Sequence, residues 1–250
     1  MTSTTAPAAA IATIGHTEAM TLAATEYDRM IDLIGGLTAE QWQQPTVCHL
    51  WDVRAMVAHV VGMAEAQASP RQFVHDARAA SKRSGGAMID AMTATQVRER
   101  ADLSTAELVD RLTRAAPSAV RARRRTPALA RWAIRIKQDP PFEPERMRYG
   151  HLVDIVFTRD TWMHRLDICR ATDRDMVLTP DHDGRLVADV VADWARRHGQ
   201  PFTLTLHGPA GGRWHAGTGG EAITLDALDF CWTLAARAAA TGLLAVPVPF

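Results

Sequence analysis

Cysteine is scarce: the chain has Cys48, Cys169 and Cys231, far apart and without a CxxC pair. An odd, scattered set excludes a disulfide framework and fits a reducing cytoplasm. No charge of one sign predominates, because Lys and Arg together number 28 and Asp and Glu number 28. A balanced chain has no global field to draw in nucleic acid or an anionic membrane, so neither partner is expected and any electrostatic specialisation is local. No uninterrupted apolar run approaches the roughly 20 residues that cross a bilayer. The first fifteen residues carry no charged side chain, so the basic leader of a secretory signal is missing. Together these absences point to a cytoplasmic protein. What is present is ordinary globular composition, 47% hydrophobic and 22% charged over 250 residues, enough for one large domain or two modest ones.

Apart from Met1, residues 1–8 are Thr, Ala, Ser and Pro, a composition expected to fray. Over 9–34 apolar residues recur at three- and four-residue intervals (Ile11, Ile14, Leu22, Met30, Leu33, Ile34), which predicts a helix ended by Gly35 and Gly36. Thr38 and Gln41 have capping-box spacing for a short helix that stops before Pro45. A second long helix is predicted from Trp51 and Asp52 through Met56, His59, Val60 and Met63 toward Pro70. The Asp52 carboxylate suits its first turn, where it opposes the partial positive charge of the helix N-terminus. Residues 84–102 are ambiguous. Ser104 and Glu107 form another capping box, opening a helix through Leu108, Leu112 and Val120 into a basic stretch at 121–137. The prolines within 139–144 predict a rigid connection.

Residues 145–171 are the most strongly periodic segment and predict a long helix; 172–180 reads as a linker and 181–198 as a further helix. The period then changes. Phe202, Leu204 and Leu206 alternate with Thr as in a strand, Gly-rich turns surround Trp214, a second strand is placed near Ile223, and 225–240 closes as a helix. The fold class that follows is mainly α. A flexible start over 1–8 precedes a helical bundle over 9–175, and a small α+β domain occupies 180–250.

One face of the 145–171 helix carries Val153, Phe157, Asp160, His164, Ile168 and Ala171, spaced by threes and fours into a single stripe. Asp160 and His164 are ionisable residues in the middle of this apolar stripe, where an unpaired carboxylate is costly. Four residues apart, they are neighbours on the helix surface and close enough to ligate one ion. His59 repeats the anomaly on the second long helix, among Met56, Val60 and Met63. Packing of those faces would gather three N/O ligands and leave a position open, the usual arrangement of a catalytic zinc site. Spacing alone leaves plainer readings open: a lone helical His is commonly a hydrogen-bonded core residue, and Asp-x-x-x-His a surface or interhelical contact. Asp167, three residues beyond His164, is placed to accept a hydrogen bond from a ligand imidazole, or to face solvent. Cys169 reads as a small core residue. The stretch 121–137 holds seven basic residues and no acid. It reads first as a solvated helix face, then as a patch for an anionic substrate, and only third as a nucleic-acid contact.

The segments Asp-x-Arg-x-x-x-x-His-Val at 52–60 and Asp-Thr-Trp-Met-His-Arg-Leu-Asp-Ile-Cys-Arg-Ala at 160–171 resemble the mycothiol-dependent maleylpyruvate isomerase family. That family belongs to the DinB/YfiT-like helical-bundle metalloproteins. The likeness continues through Gly208-Pro, Trp214 and the helix leading to Arg237. It implies a DinB-like four-helix bundle followed by a small α+β domain, and it sets His59, Asp160 and His164 on the family's three metal ligands. It further implies a divalent metal, zinc in first place, with mycothiol as thiol cosubstrate and a small-molecule electrophile as substrate. The reaction implied is isomerisation or S-transfer, with no catalytic side chain beyond a metal-bound thiolate. Arg237 would hold a substrate carboxylate in a bidentate fork. Two departures stand out. The isomerases carry Glu where this chain has Asp160, although other branches of the group have Asp, and the family carries Gly where this chain has Ala236. The same three ligands also suit a metal-dependent hydrolase, which would need no thiol. A non-catalytic metal- or ligand-binding protein is a third reading, and a fourth protein ligand such as His49 or His151 would mark it.

Overall fold

The computed structural model describes residues 5–81, 88–138, 141–142 and 145–250. Its elements begin with β1 (Ala6–Pro7), α1 (His16–Gly35), α2 (Val53–Ala68), α3 (Pro70–Ser81) and α4 (Met88–Glu99). They continue with α5 (Thr105–Arg124), α6 (Ala128–Ala133), β2 (Arg135–Lys137), β3 (Arg146–Arg148), α7 (Tyr149–His151) and α8 (Phe157–Ala171). The last are α9 (Arg185–His198), β4 (Phe202–His207), β5 (Gly212–Ala216), β6 (Glu221–Asp226) and α10 (Ala227–Leu234). Contacts divide the chain into two compact units, one spanning His16–Met176 and the other joining the described residues up to Gly15 with Val177–Phe250.

Short polar side chains set the helix starts of the first unit. Asp52 caps α2 by accepting from Ala55 N at 2.7 Å. Ser104 and Glu107 make the predicted capping box of α5, with reciprocal bonds of 3.2 and 2.7 Å. Each such cap contributes on the order of 1 kcal/mol. Thr38 and Gln41 reciprocate in the same way, at 3.1 and 3.3 Å, but Pro45 follows and only the single turn Gln41–Gln43 forms.

Packing then exceeds capping as the source of order. α5 lies against α1 and α2, and α8 against the same two helices, closing a four-helix bundle. Met20, Met30 and Ile34 of α1, Met56 and Val61 of α2, Leu108 and Leu112 of α5, and Met163 and Ile168 of α8 are buried in it. Each fully buried side chain of this size is worth roughly 1.5–3 kcal/mol, so a handful outweighs all the caps. α3 and α4 pack on each other and on the outside of α2. The ambiguous stretch 84–102 thus contains α4, while its residues 84–87 lie outside the described residues.

The segment 145–171 is less uniform than its periodicity predicts. Arg146–Arg148 is a strand, paired antiparallel with β2, in which Met147 faces inward between two exposed arginines. The helix follows only from Tyr149, and it contains a wide π turn at Leu152–Val156 before α8 begins. Of the connection expected over 139–144, only residues 141 and 142 are among the described residues.

In the second unit the sheet order is β1-β5-β4-β6, with β4 antiparallel to β5 and parallel to β6. Alternation along β4 buries Phe202, Leu204 and Leu206, and Phe202 and Phe230 meet the ring of Trp194 on α9 at 4.8 and 5.4 Å. The helix predicted from residue 9 begins only at His16. Ahead of it Ala6 and Pro7 pair in parallel with Trp214 and His215, and Ala8 is buried. Of the start expected to fray, residues 1–4 lie outside the described residues. A two-residue strand has no period, which is why the sequence gives no sign of it.

The closing helix also stops short, at Leu234 instead of 240. Ala236 turns left-handed at φ 57°, Arg237 N donates to Trp232 O at 3.1 Å, and Ala236 N donates to Thr233 O at 3.0 Å. This is the paired-bond ending that glycine favours, because an L side chain is strained there by about 1–2 kcal/mol. The Gly that the family resemblance implies at this position would relieve that strain. Ala236→Gly is expected to stabilise the unit by about 1 kcal/mol in urea denaturation, strain relief exceeding glycine's entropic cost. Unchanged or lower stability would contradict it.

Candidate metal centre

α2 and α8 are neighbours in the bundle, and their facing sides carry the three candidate ligands. His59 stands in the second turn of α2, Asp160 in the first turn of α8, and His164 one turn further on. His59 Nε2 lies 3.8 Å from one Asp160 carboxylate oxygen, and His164 Nε2 lies 3.5 Å from the other. One ligand atom from each of the three residues falls within 4.8 Å of the others. Both imidazoles are buried, whereas the Asp160 side chain is 25% exposed, so solvent reaches the group from the Asp160 side. The indole of Trp51 covers both rings, with centroids 5.2 Å from His59 and 6.3 Å from His164.

The protonation pattern shows what the group asks for. Burial drives His59 down to about 4, against the pull of Asp160, so its ring is neutral. Burial acts downward on His164 as well, but the Asp160 and Asp167 carboxylates outweigh it and raise that ring to about 9. One cationic charge is thus held between two imidazoles and a carboxylate. A divalent cation would meet the same demand, with two nitrogen donors and an anionic oxygen of the kind zinc takes.

Each imidazole is oriented from behind. His164 Nδ1 lies 3.0 Å from Asp167 Oδ2, with Asp167 fully buried. His59 Nδ1 lies 3.0 Å from Oε1 of Gln96 on α4. Gln96 is not legible in the sequence, because α4 has no clear period and a buried amide resembles any polar residue. Partners of this type fix ring and tautomer, and here each leaves Nε2 on the side of Asp160.

Against known proteins, residues 23–169 match the family model described as the mycothiol maleylpyruvate isomerase N-terminal domain. The chain belongs to that family. Two crystal structures have a similar fold over 90% of this chain and 90% of theirs: the mycothiol-dependent maleylpyruvate isomerase (16% identity, TM-score 0.57) and a point mutant of it (15% identity, TM-score 0.56). No curated protein matches the sequence significantly.

His49 is exposed, and neither it nor His151 joins the group among the described residues. Arg237 belongs to the second unit, just after α10, where its guanidinium donates to Ala235 O at 3.3 Å. The basic stretch is not one solvated face. Arg123 is buried, bound to Val153 O and Thr158 Oγ1 at 2.8 Å each, and Arg131 pairs with Asp154 at 2.8 Å, while Arg121, Arg124, Arg125, Arg135 and Lys137 are exposed. Cys169 is buried, and burial pushes its thiol up to about 11, so it stays protonated near neutral pH. Tyr27, on α1, is buried with its phenol at about 12, raised first by burial. No helix of the described residues is long and apolar enough to cross a membrane.

Proposed function

We propose that this chain is a metal-dependent enzyme that works with mycothiol, as a maleylpyruvate isomerase-like enzyme or as a thiol S-transferase. The observation that carries the reading is the convergence of two Nε2 atoms and one carboxylate within 4.8 Å, with each Nδ1 engaged from behind. His59, Asp160 and His164 would hold the ion, and Asp167 would orient His164. Bound there, a divalent ion such as zinc supplies the positive charge that keeps a thiol sulfur ionised near neutral pH.

The chain's own groups do the rest. Trp51 packs over the imidazoles and restricts water, and the partly exposed Asp160 side leaves the approach for an outside ligand. Cys169 is buried with a raised thiol, and no cysteine belongs to the group of candidate ligands among the described residues, which favours a sulfur nucleophile supplied from outside the chain. Its addition to a conjugated double bond forms a C–S bond and sends the electron pair toward the carbonyl. Rotation about the resulting single bond and expulsion of the same thiolate complete an isomerisation with no net change of oxidation state. In S-transfer the C–S bond remains and a leaving group departs with its electron pair. Arg237, a half-buried guanidinium just after α10, is the residue offered for a substrate carboxylate by family likeness.

The test is spectroscopic before it is kinetic. Cobalt-substituted protein is expected to develop a sulfur-to-metal charge-transfer band on addition of mycothiol, and the band should vanish in Asp160→Ala. Turnover of maleylpyruvate or another thiol-reactive electrophile should require both metal and thiol. Turnover with metal alone would assign a hydrolase. A metallated protein with no band and no turnover would be a binding protein instead.

A further inference from the structure

Behind His59 the hydrogen bonding does not end at Gln96. The Gln96 amide nitrogen lies 3.3 Å from Asp76 Oδ2 on α3 and 3.3 Å from the Met63 sulfur. Gln72 donates to the other Asp76 oxygen at 2.8 Å. Gln96 and Asp76 are both fully buried. A carboxylate can only accept, so the end of the Gln96 amide that faces Asp76 is its NH2 group. Its oxygen therefore faces His59 Nδ1, and an oxygen acceptor there requires Nδ1 to carry the proton. The bare lone pair is left on Nε2, on the side of Asp160.

The α2 backbone is shaped for this arrangement. Gly62 stands one turn after His59, and a Cβ at that position would lie 2.6 Å from Cβ and 2.7 Å from Cγ of Gln96. Glycine in a helix interior costs about 1 kcal/mol relative to alanine. Here it opens the slot through which Gln96 reaches the imidazole.

We propose that Gln96 and Asp76 are positioning residues for His59, a buried amide-to-carboxylate relay admitted by Gly62 that fixes the Nδ1–H tautomer and aims Nε2 at the metal. The proposal rests on the metal reading above, and it gives the two histidines different support. His164 is coupled directly to the carboxylate of Asp167, while His59 is coupled to that of Asp76 through a neutral amide.

Two measurements test it. In long-range 15N–1H spectra of the metal-free wild-type protein at neutral pH, His59 is expected as the Nδ1–H tautomer. Asp76→Asn lets the Gln96 amide turn over, and a mixture of tautomers should appear. In competition titrations with a zinc chelator, folded Gln96→Met, which keeps the volume without the acceptor, should bind zinc about 10–100-fold more weakly than wild type. Gly62→Ala should weaken zinc in the same direction, by forcing Gln96 away. An Nε2–H tautomer of His59 in the wild-type protein would overturn the relay, even if every variant fails to fold. Wild-type zinc affinity in folded Gln96→Met would overturn it as well. Wild-type protein that binds no zinc would end the metal reading, and the tautomer would still decide the relay.

Discussion

His164→Ala and His59→Ala are each expected to lose zinc while the helical unit stays folded. A single three-ligand centre holds about one ion per chain, and removal of one donor leaves two. Loss of an outer partner alone costs roughly 10–100-fold in affinity, so loss of a direct ligand should exceed about 100-fold. The fold should tolerate the change because the bundle core is supplied by other side chains, such as Met56 and Val61 on α2 and Met163 and Ile168 on α8. The sign of the pH dependence follows from His164. Its metal-free ring is held at about 9, so near neutrality the ion must displace a proton. Zinc affinity should therefore rise with pH up to about 9, and binding near neutral pH should release about one proton per ion. Elemental analysis and calorimetry in buffers of different ionisation enthalpy measure both. Full metal content in both variants would remove the assignment.

Glu26→Ala should have the largest effect on stability. Glu26 of α1 and Arg165 of α8 are 1% and 2% exposed as side chains, and they meet in two parallel bonds of 2.7 and 3.1 Å. Desolvating both ions is expensive, and the pair is worth little relative to a well-packed apolar replacement. Breaking it from one side is another matter, because the buried guanidinium loses its two-point acceptor. The expected cost is about 3–5 kcal/mol, or roughly 6–20 °C in melting temperature for a chain of this size. The double variant Glu26→Leu with Arg165→Met should recover much of that loss. Calorimetry of the three proteins checks it, and a single variant as stable as wild type would show that the pair carries no such weight.

The two features differ in how far the sequence reveals them. Asp160 and His164 are conspicuous because polar groups interrupt an apolar stripe of regular spacing, and the bundle does bring them opposite His59. Ser104 with Glu107 and the alternation at Phe202 are local rules, and they hold because nothing distant competes with them. Gln96 and Asp76 are single buried polar residues on α4 and α3, and what joins them to His59 is a contact between α4 and α2 that no local pattern encodes. The strand at Ala6–Pro7 owes its existence to β5, more than 200 residues later. The early end of α10 is invisible for a different reason. Alanine is the best helix former, and only the backbone conformation at Ala236 shows that the chain has already turned.

The π turn at Leu152–Val156 has a consequence for how insertions and deletions act on the centre. A wide turn holds one residue more than an α turn, and each α-helical residue advances the phase by about 100°. Upstream of it, Tyr149 N donates to Ile134 O at 3.0 Å; within it, Asp154 is tied to His16 at 2.7 Å and to Arg131 at 2.8 Å; downstream, Asp160 and His164 face α2. The extra residue is the phase shift that lets one helix satisfy both directions at once. Deleting a single residue between 152 and 156 would turn the ligand pair by about a quarter of a revolution relative to its anchor, while a deletion compensated by an insertion within the same turn would leave both in place. Helical frame, as much as residue identity, keeps this pair of ligands pointed at its partner.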